Sequence, residues 1–477
     1  MRRSRRTIMS MVAVVALALT GFAFGPGVTA AATPGKTVIN VWLANFPFPG
    51  YLDSRIADAA AFNAAHPQYD VEVRAVDFDQ LPQEVNAAVQ AGDAPEVADY
   101  YYNATQNARD AKDKYGRPLF TSVQRAIGGR TSILGEPVVL NDIIAPARSY
   151  YTHHGDLTSM PLTVNTTMLY ANQNLLAKAG IATLPTTWAQ LAHDCALLRA
   201  LPDGPTNCVT WPDHSWFFQQ AVTEQGGYLS NGQNGRLARS TRVNADSSQI
   251  MTYVKFWNQL ARNGDYLYTG TPNDFEFTFN AFFGQQVAFF LSTADQGTGL
   301  IQQGAASGFG VTAGRLPVNG QNVNPGNIIS GDSLWLKAGL NKATQDGALA
   351  FMNYLNNTTN TINWNQSTGY LPMTNAAIAK MRSDGAFQQN PSLPVALDQV
   401  FQANSSNSAN GAVFGDFDGI QNTLTDAMND VLAGGADPVA RFRQADVEAN
   451  QLLHQYNANC QHAGPLPAYC TSVGAFG

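Results

Sequence analysis

The sequence predicts an α/β protein of two lobes. Two observations carry that expectation. Strand and helix patterns alternate with short connections along the first hundred residues, and about 440 residues remain once an N-terminal targeting segment is set aside, more than one hydrophobic core serves comfortably.

That segment, MRRSRRTIMSMVAVVALALTGFAFGPGVTAA, combines four arginines, an apolar run from Ile8 to Phe24 and small residues around Ala30 to Ala32. A positive start, a short apolar centre and a small-residue end make an export signal, expected over residues 1–31, and the run is too short for a membrane span. The stretch SRRTIM leaves both the twin-arginine and the general export route open. No cysteine lies near the cleavage region, so the usual lipid attachment is not expected. The mature chain should be extracytoplasmic, in the periplasm or cell-surface space, with no direct membrane insertion.

After the signal, TVINVWLA reads as a buried strand and SRIADAAAFNAAH as a helix. The alternating YDVEVRAV is a second strand, Pro82 and Gly92 bracket a second helix, and PEVADYY supplies a third strand. Connections this short imply parallel pairing with right-handed crossovers. A ligand on such a sheet sits beyond the carboxyl ends of its strands, which places Phe78, and Tyr100 to Asn103, at a cleft edge. Further along, Thr187 and Gln190 have capping-box spacing at the head of WAQLAHDCALLRA. ADSSQIMTYVKFWNQLARNGDY is an amphipathic helix ending near Gly264, and QQVAFFLS suits a strand covered on both faces. KATQDGALAFMNYLNN and DPVARFRQADVEANQLLHQY are late helices, the second opened by Asp437 and Pro438.

Without the signal's four arginines the chain keeps 24 basic against 35 acidic residues, a formal charge of −11. Nucleic acid and anionic membranes are therefore disfavoured as partners. The four cysteines fall as two local pairs, Cys195 with Cys208 and Cys460 with Cys470. Export permits disulfides and neither pair has metal-site spacing, so both read as structural staples, with no metal or cofactor expected.

Motifs of hydrolytic and nucleotide chemistry are absent: there is no GxSxG, HExxH, P-loop or GxGxxG. His153 and His154 are adjacent, could not both face one site on a strand, and read as a solvated pair at a connection. Asp274 and Glu276 lie two apart, and glycoside cleavage depends on a spatial separation that sequence does not carry, so a secreted glycoside hydrolase stays as an alternative. Aromatics are more suggestive. Trp211 and Trp216 bracket PDHS, and Phe46 and Phe48 follow the first strand. A flat ring stacks on the C–H face of a sugar while Asp, Asn and Gln meet its hydroxyls; core packing is the competing reading, and Trp188 is assigned to the core. The stretch STGYLP reads as a stiff turn ending a helix, holding Tyr370 either onto its own lobe or into a cleft.

The segment MPLTVNTTMLYANQNLLAKAGIATLPTTWAQL, with AGDAPEVADYY before it and NIISGDSLWL after it, resembles the extracellular solute-binding proteins, family 1, of ABC importers. The late order WNQSTGYLPMTNAA, GAFQQNP and a terminal helix pair is similar to the subgroup that binds glycerol-3-phosphate or glycerophosphodiesters. The resemblance implies a two-lobed periplasmic-binding-protein-like fold (type II) with a three-crossing hinge, lobe 1 spanning 36–158 and 330–385 and lobe 2 spanning 159–329 and 386–477. It implies capture of a small solute between the lobes, delivery to ABC-importer permease subunits, and no catalysis.

Carried over residue by residue, the subgroup's cleft falls on Phe78, where it has a tyrosine, on Tyr102, where it has a glutamate, and on Asn165 and Thr166. It also falls on Trp216, Ser292, Gly331 and Tyr370, and on Asp213 in place of a second tryptophan unless a small gap brings in Trp211. In NGAVFGDF the subgroup's phosphate-binding arginine is replaced by Val413. Loss of a guanidinium fork removes the usual donor for a buried phosphate. The expected solute is therefore a neutral carbohydrate, with Asp213, Asp332 and Asp416 to accept its hydroxyls, and glycerol-3-phosphate or a glycerophosphodiester is the alternative.

Overall fold

A computed structural model describes residues 35–46, 50–320, 326–403 and 406–460. The expected export signal, Phe48 and Cys470 lie outside the described residues.

The strand Thr37–Asn45 buries Ile39, Val41 and Leu43 on one face and Trp42 and Ala44 on the other, so it lies inside a sheet covered on both sides. It pairs in parallel with Tyr69–Asp77, in a register that sets Thr37 opposite Tyr69, and with Val97–Tyr101. The helices Tyr51–Ala65 and Leu81–Ala91 make the crossovers, the second started by Pro82 and stopped by Gly92 in the left-handed region. The strand Asp332–Lys337 returns from far along the chain and pairs antiparallel with Val97–Tyr101, Asp332 opposite Tyr101, and also with Phe120–Thr121 and Met160–Pro161. The helix Lys342–Leu355 packs on this sheet, and Thr358–Thr368 packs on the helix Tyr51–Ala65.

A second sheet runs in the order Val209–Thr210, Phe289–Thr293, Thr167–Asn172, Val311–Arg315. Every residue of Thr167–Asn172 is buried. The capping box of Thr187 and Gln190 forms, and Asp437 accepts the Ala440 N–H at the head of the last helix, both as expected. Trp188 stacks on Phe256 and donates its indole N–H to the Pro317 carbonyl, and Trp211 lies among Trp257, Tyr266 and Phe217. Both rings are core.

The chain passes between the sheets three times: after Met160–Pro161, before Asp332–Lys337, and between the helices Asn375–Ser383 and Ser392–Phe401. The tightest point is Gly331, whose φ of 125° few side chains tolerate, and a Cβ there would lie 2.1 Å from the Thr163 carbonyl oxygen. Two lobes joined by three crossings match the expected class.

Cys195, on the helix Trp188–Arg199, is bonded to Cys208, just before the strand Val209–Thr210. This tie spans a sequence separation of 13, for which chain entropy gives about 3 kcal/mol. Replacing both cysteines by serine should lower unfolding free energy in urea by about 2–4 kcal/mol and leave solute binding intact, because the bridge lies in one lobe behind its sheet.

Candidate ligand-binding cleft

Three parallel strands end in aromatic residues at one edge of the first sheet. Phe46 directly follows Thr37–Asn45, Phe78 follows Tyr69–Asp77, and Tyr101 closes Val97–Tyr101. Phe46 and Phe78 stack with centroids 4.7 Å apart and planes 18° from parallel, and Tyr101 lies 5.2 and 5.9 Å from them. Phe78 and Tyr101 keep part of their surface open. The result is an aromatic wall where a parallel sheet places its ligands.

A short turn at Tyr102–Ala104 then redirects the chain toward the second lobe. The Tyr102 ring meets Trp216 at 6.4 Å and Phe417 at 6.1 Å, and its hydroxyl accepts from Gln421 Nε2 at 2.7 Å. Asn103 donates to Asp418 Oδ1 at 2.9 Å and to Gln421 Oε1 at 3.1 Å. These residues draw the lobes together.

Asn165 Nδ2 donates to Asp295 Oδ1 at 2.8 Å, and its side-chain oxygen accepts the Thr166 N–H. Thr166 donates its hydroxyl to the Ile328 carbonyl at 3.2 Å. Ser292 lies in the strand Phe289–Thr293, opposite Met168. Its hydroxyl and the indole N–H of Trp216 are buried with no hydrogen-bond partner among the described residues. Such groups are costly to leave unpaired, and both are suited to a polar solute.

The other sequence-derived positions take different settings. Tyr370 packs on Tyr51 at 5.9 Å and Trp364 at 6.0 Å, and its hydroxyl feels Asp295 and Tyr101 at the edge of the aromatic wall. Gly331 belongs to the hinge, its carbonyl accepting from Tyr102 N at 2.8 Å and from the Tyr151 hydroxyl at 3.2 Å. Asp213 is fully buried, and burial, with Asp426 nearby, pushes its carboxyl well above the usual range against the pull of Tyr268. Asp416, at φ 50°, holds the N-cap position of the helix Phe417–Leu432, with its carboxylate beside Gly419. Asp332 accepts from the Tyr51 hydroxyl at 2.6 Å and from Thr163 Oγ1 at 2.8 Å. Val413 is buried, its N–H bonded to the Asn234 carbonyl. Asp274 caps the helix Phe275–Phe283, which gives it a structural role.

Sequence reasoning stopped short of Asp295, Asp418 and Gln421, whose roles arise from partners more than a hundred positions away. It read His153 and His154 as a solvated pair at a connection, and His154 is indeed exposed in a hairpin turn. Both rings line one cavity, 4.0 Å apart, because His154 takes φ 51° in that turn instead of a strand conformation.

Residues 57–395 match the family model described as bacterial extracellular solute-binding protein. The sn-glycerol-3-phosphate-binding periplasmic protein UgpB of Salmonella typhimurium is 26% identical over 409 residues, covering 83% of this chain and 89% of the relative. Among solved structures, UgpB from Mycobacterium tuberculosis in complex with glycerophosphocholine is similar with a TM-score of 0.69 at 20% identity, over 87% of this chain and 98% of that one. The GacH receptor of Streptomyces glaucescens, solved unliganded and with acarbose, gives 0.66 at 17% identity, over 88% and 98%. At these identities the structural likenesses speak for the fold.

Two outcomes follow from the lobe contacts. Gly369 has φ 81°, and a Cβ on it would come 2.0 Å from the Asp295 carbonyl oxygen of the other lobe. Gly369→Ala should therefore hold the lobes apart, read as a larger radius of gyration by small-angle scattering. Asp418 is pushed up to about 7, chiefly by burial and then by Asp416 and Asp79. A carboxyl whose folded value is raised binds its proton more tightly in the folded state, so its stabilising contribution is full below about pH 4 and is lost as pH rises through 7. Melting temperature should fall over that window, and Asp418→Asn should flatten the fall.

Proposed function

The chain belongs to the bacterial extracellular solute-binding proteins, and from that premise we propose that it captures a carbohydrate-type solute outside the cytoplasm and hands it to the permease of an ABC importer. Members of this family bind solutes and are not enzymes. The observation that carries the reading is the aromatic wall of Phe46, Phe78 and Tyr101, set at the lobe junction near Asp295 and Asp418. Ring faces suit the C–H side of a pyranose, while carboxylates and orphaned donors suit its hydroxyls.

A phosphate would meet different surroundings. Val413 stands where the glycerol-3-phosphate subgroup keeps an arginine, and nearby Arg55 is stacked on Trp364 and paired with Asp58. With no free guanidinium at the aromatic wall among the described residues, acidic side chains would oppose an anion buried there. The relatives described as glycerol-3-phosphate-binding favour a second reading, a glycerophosphodiester, whose non-phosphate end would face the same rings. The lobe limits proposed are 36–158 with 330–385, and 159–329 with 386–477. The solute is gripped by hinge closure, with Tyr102, Asn165, Thr166, Trp216 and Ser292 contributing from the two sides.

Calorimetric titration with mono- and disaccharides, glycerol-3-phosphate and glycerophosphocholine tests the assignment. A sugar should bind, and Phe78→Ala should weaken it by about tenfold or more, equivalent to about 1–3 kcal/mol, with the apo melting temperature nearly unchanged. Tight phosphate-ester binding with no sugar response would overturn the carbohydrate reading and establish the second one.

A further inference from the structure

The lobes also enclose a cavity of about 420 Å³ that lies apart from the aromatic wall; Phe46, Phe78, Trp216 and Tyr370 do not line it. Tyr150 is tied to both lobes beside Arg236. Its hydroxyl lies 3.1 Å from the Tyr102 carbonyl and 2.9 Å from that of Ala412, while Arg236 covers its ring at 4.6 Å. Arg109, near the end of the helix Thr105–Asp110, enters this cavity from the first lobe, and Arg236 enters it from the second.

Among the described residues neither arginine is in an ion pair, although the neighbouring Asp110 acts on Arg109. Arg236 gives Nε to the Gly411 carbonyl at 2.8 Å, Nη1 to Tyr150 O at 2.9 Å and Nη2 to Asn410 O, all neutral acceptors. Arg109 keeps Nε and Nη2 buried with no hydrogen-bond partner among the described residues. The nearby acids are committed elsewhere: Asp110 holds Arg239 through two bonds of 2.8 Å, and Asp156 holds Arg125 at 2.6 Å. Burial, and the charge of Arg236, draw Arg109 down to about 10, and burial draws Arg236 to about 10. His153 is pushed down to about 4, by burial first and then by Arg109, so it adds no charge of its own. A second opening of about 520 Å³ reaches the same two arginines past Arg148.

On a chain of net negative charge, two buried guanidinium groups with no ion-pair partner among the described residues, facing one cavity from opposite lobes, call for an anion. We propose that this interlobe cavity binds a small phosphate-type oxyanion, held by Arg109 and Arg236. A tetrahedral oxyanion offers several acceptors to planar forks, so it can supply the partner that Arg109 lacks. By touching both lobes it also joins them. The site is separate from the solute cleft, and the inference stands whatever that cleft binds.

Thermal unfolding of the full mature protein tests it, with inorganic phosphate titrated at an ionic strength held constant with sodium chloride and glycerol-3-phosphate as the ester arm. A saturable rise in melting temperature is expected with at least one of the two, and the tighter of them identifies the source as free ion or ester. Arg109→Gln removes no side-chain hydrogen bond seen among the described residues, so it should leave the apo melting temperature unchanged or higher while weakening the anion at least tenfold. Phe78→Ala should leave the anion response intact. No saturable rise beyond that of chloride, or a full response in Arg109→Gln, overturns the proposal; loss in Phe78→Ala with retention in Arg109→Gln places the anion in the solute cleft and overturns it equally.

Discussion

The architecture hangs on the few residues where the strand Asp332–Lys337 re-enters the first sheet. Gly331 passes so close to the Thr163 carbonyl that no Cβ fits. One residue later, Thr163 Oγ1 accepts the Asp332 N–H at 3.1 Å and donates to Asp332 Oδ1 at 2.8 Å, and Tyr51 donates to the other oxygen at 2.6 Å. Asp99 lies beside this carboxylate, and burial together with Asp332 holds it well above the usual range, as the protonated member of the pair. Two crossings are thus clasped by one buried, hydrogen-bonded carboxylate. The Gly331 carbonyl in turn receives the Tyr102 N–H, which starts the turn that carries Tyr102 and Asn103 to the other lobe. Hinge and cleft are continuous.

The two spaces between the lobes differ in electrostatic character. On one side stand rings and carboxylates, including Asp295, which burial raises while hydrogen bonds from Thr293 and Asn165 work against the rise. On the other side stand arginines. Segregation of this kind lets one closure motion act on groups of opposite charge without their neutralising each other.

Much of the framework was legible because its signals are local. Pro82 and Gly92 bound a helix through fixed φ and left-handed φ, Thr187 and Gln190 meet within one turn, and QQVAFFLS alternates in no way that would expose a face. The insertion of Asp332–Lys337 beside Val97–Tyr101 is a pairing over more than two hundred residues, and the pattern reaches it only through family resemblance. The site was harder to read. Carry-over identified Tyr102 and Trp216, which do meet, but spacing gave no means of seeing that Asp418 and Gln421 would wait for Asn103 across the lobes. Asp213 shows the converse: sequence offers it as an acceptor, but it is fully buried and its carboxyl is pushed up, which spacing alone does not reveal.

The three chain crossings have a mechanical consequence. Two bodies joined by a single strand can rotate about any axis through the joint, whereas connectors set side by side and tied by Gly331 and Asp332 resist twist and shear and leave bending as the soft coordinate. If the lobes move as the proposed function requires, so few degrees of freedom would return them to one closed pose. A membrane partner reading the outer surface of both lobes would then receive a nearly binary signal, open or shut, that reports occupancy without touching the solute.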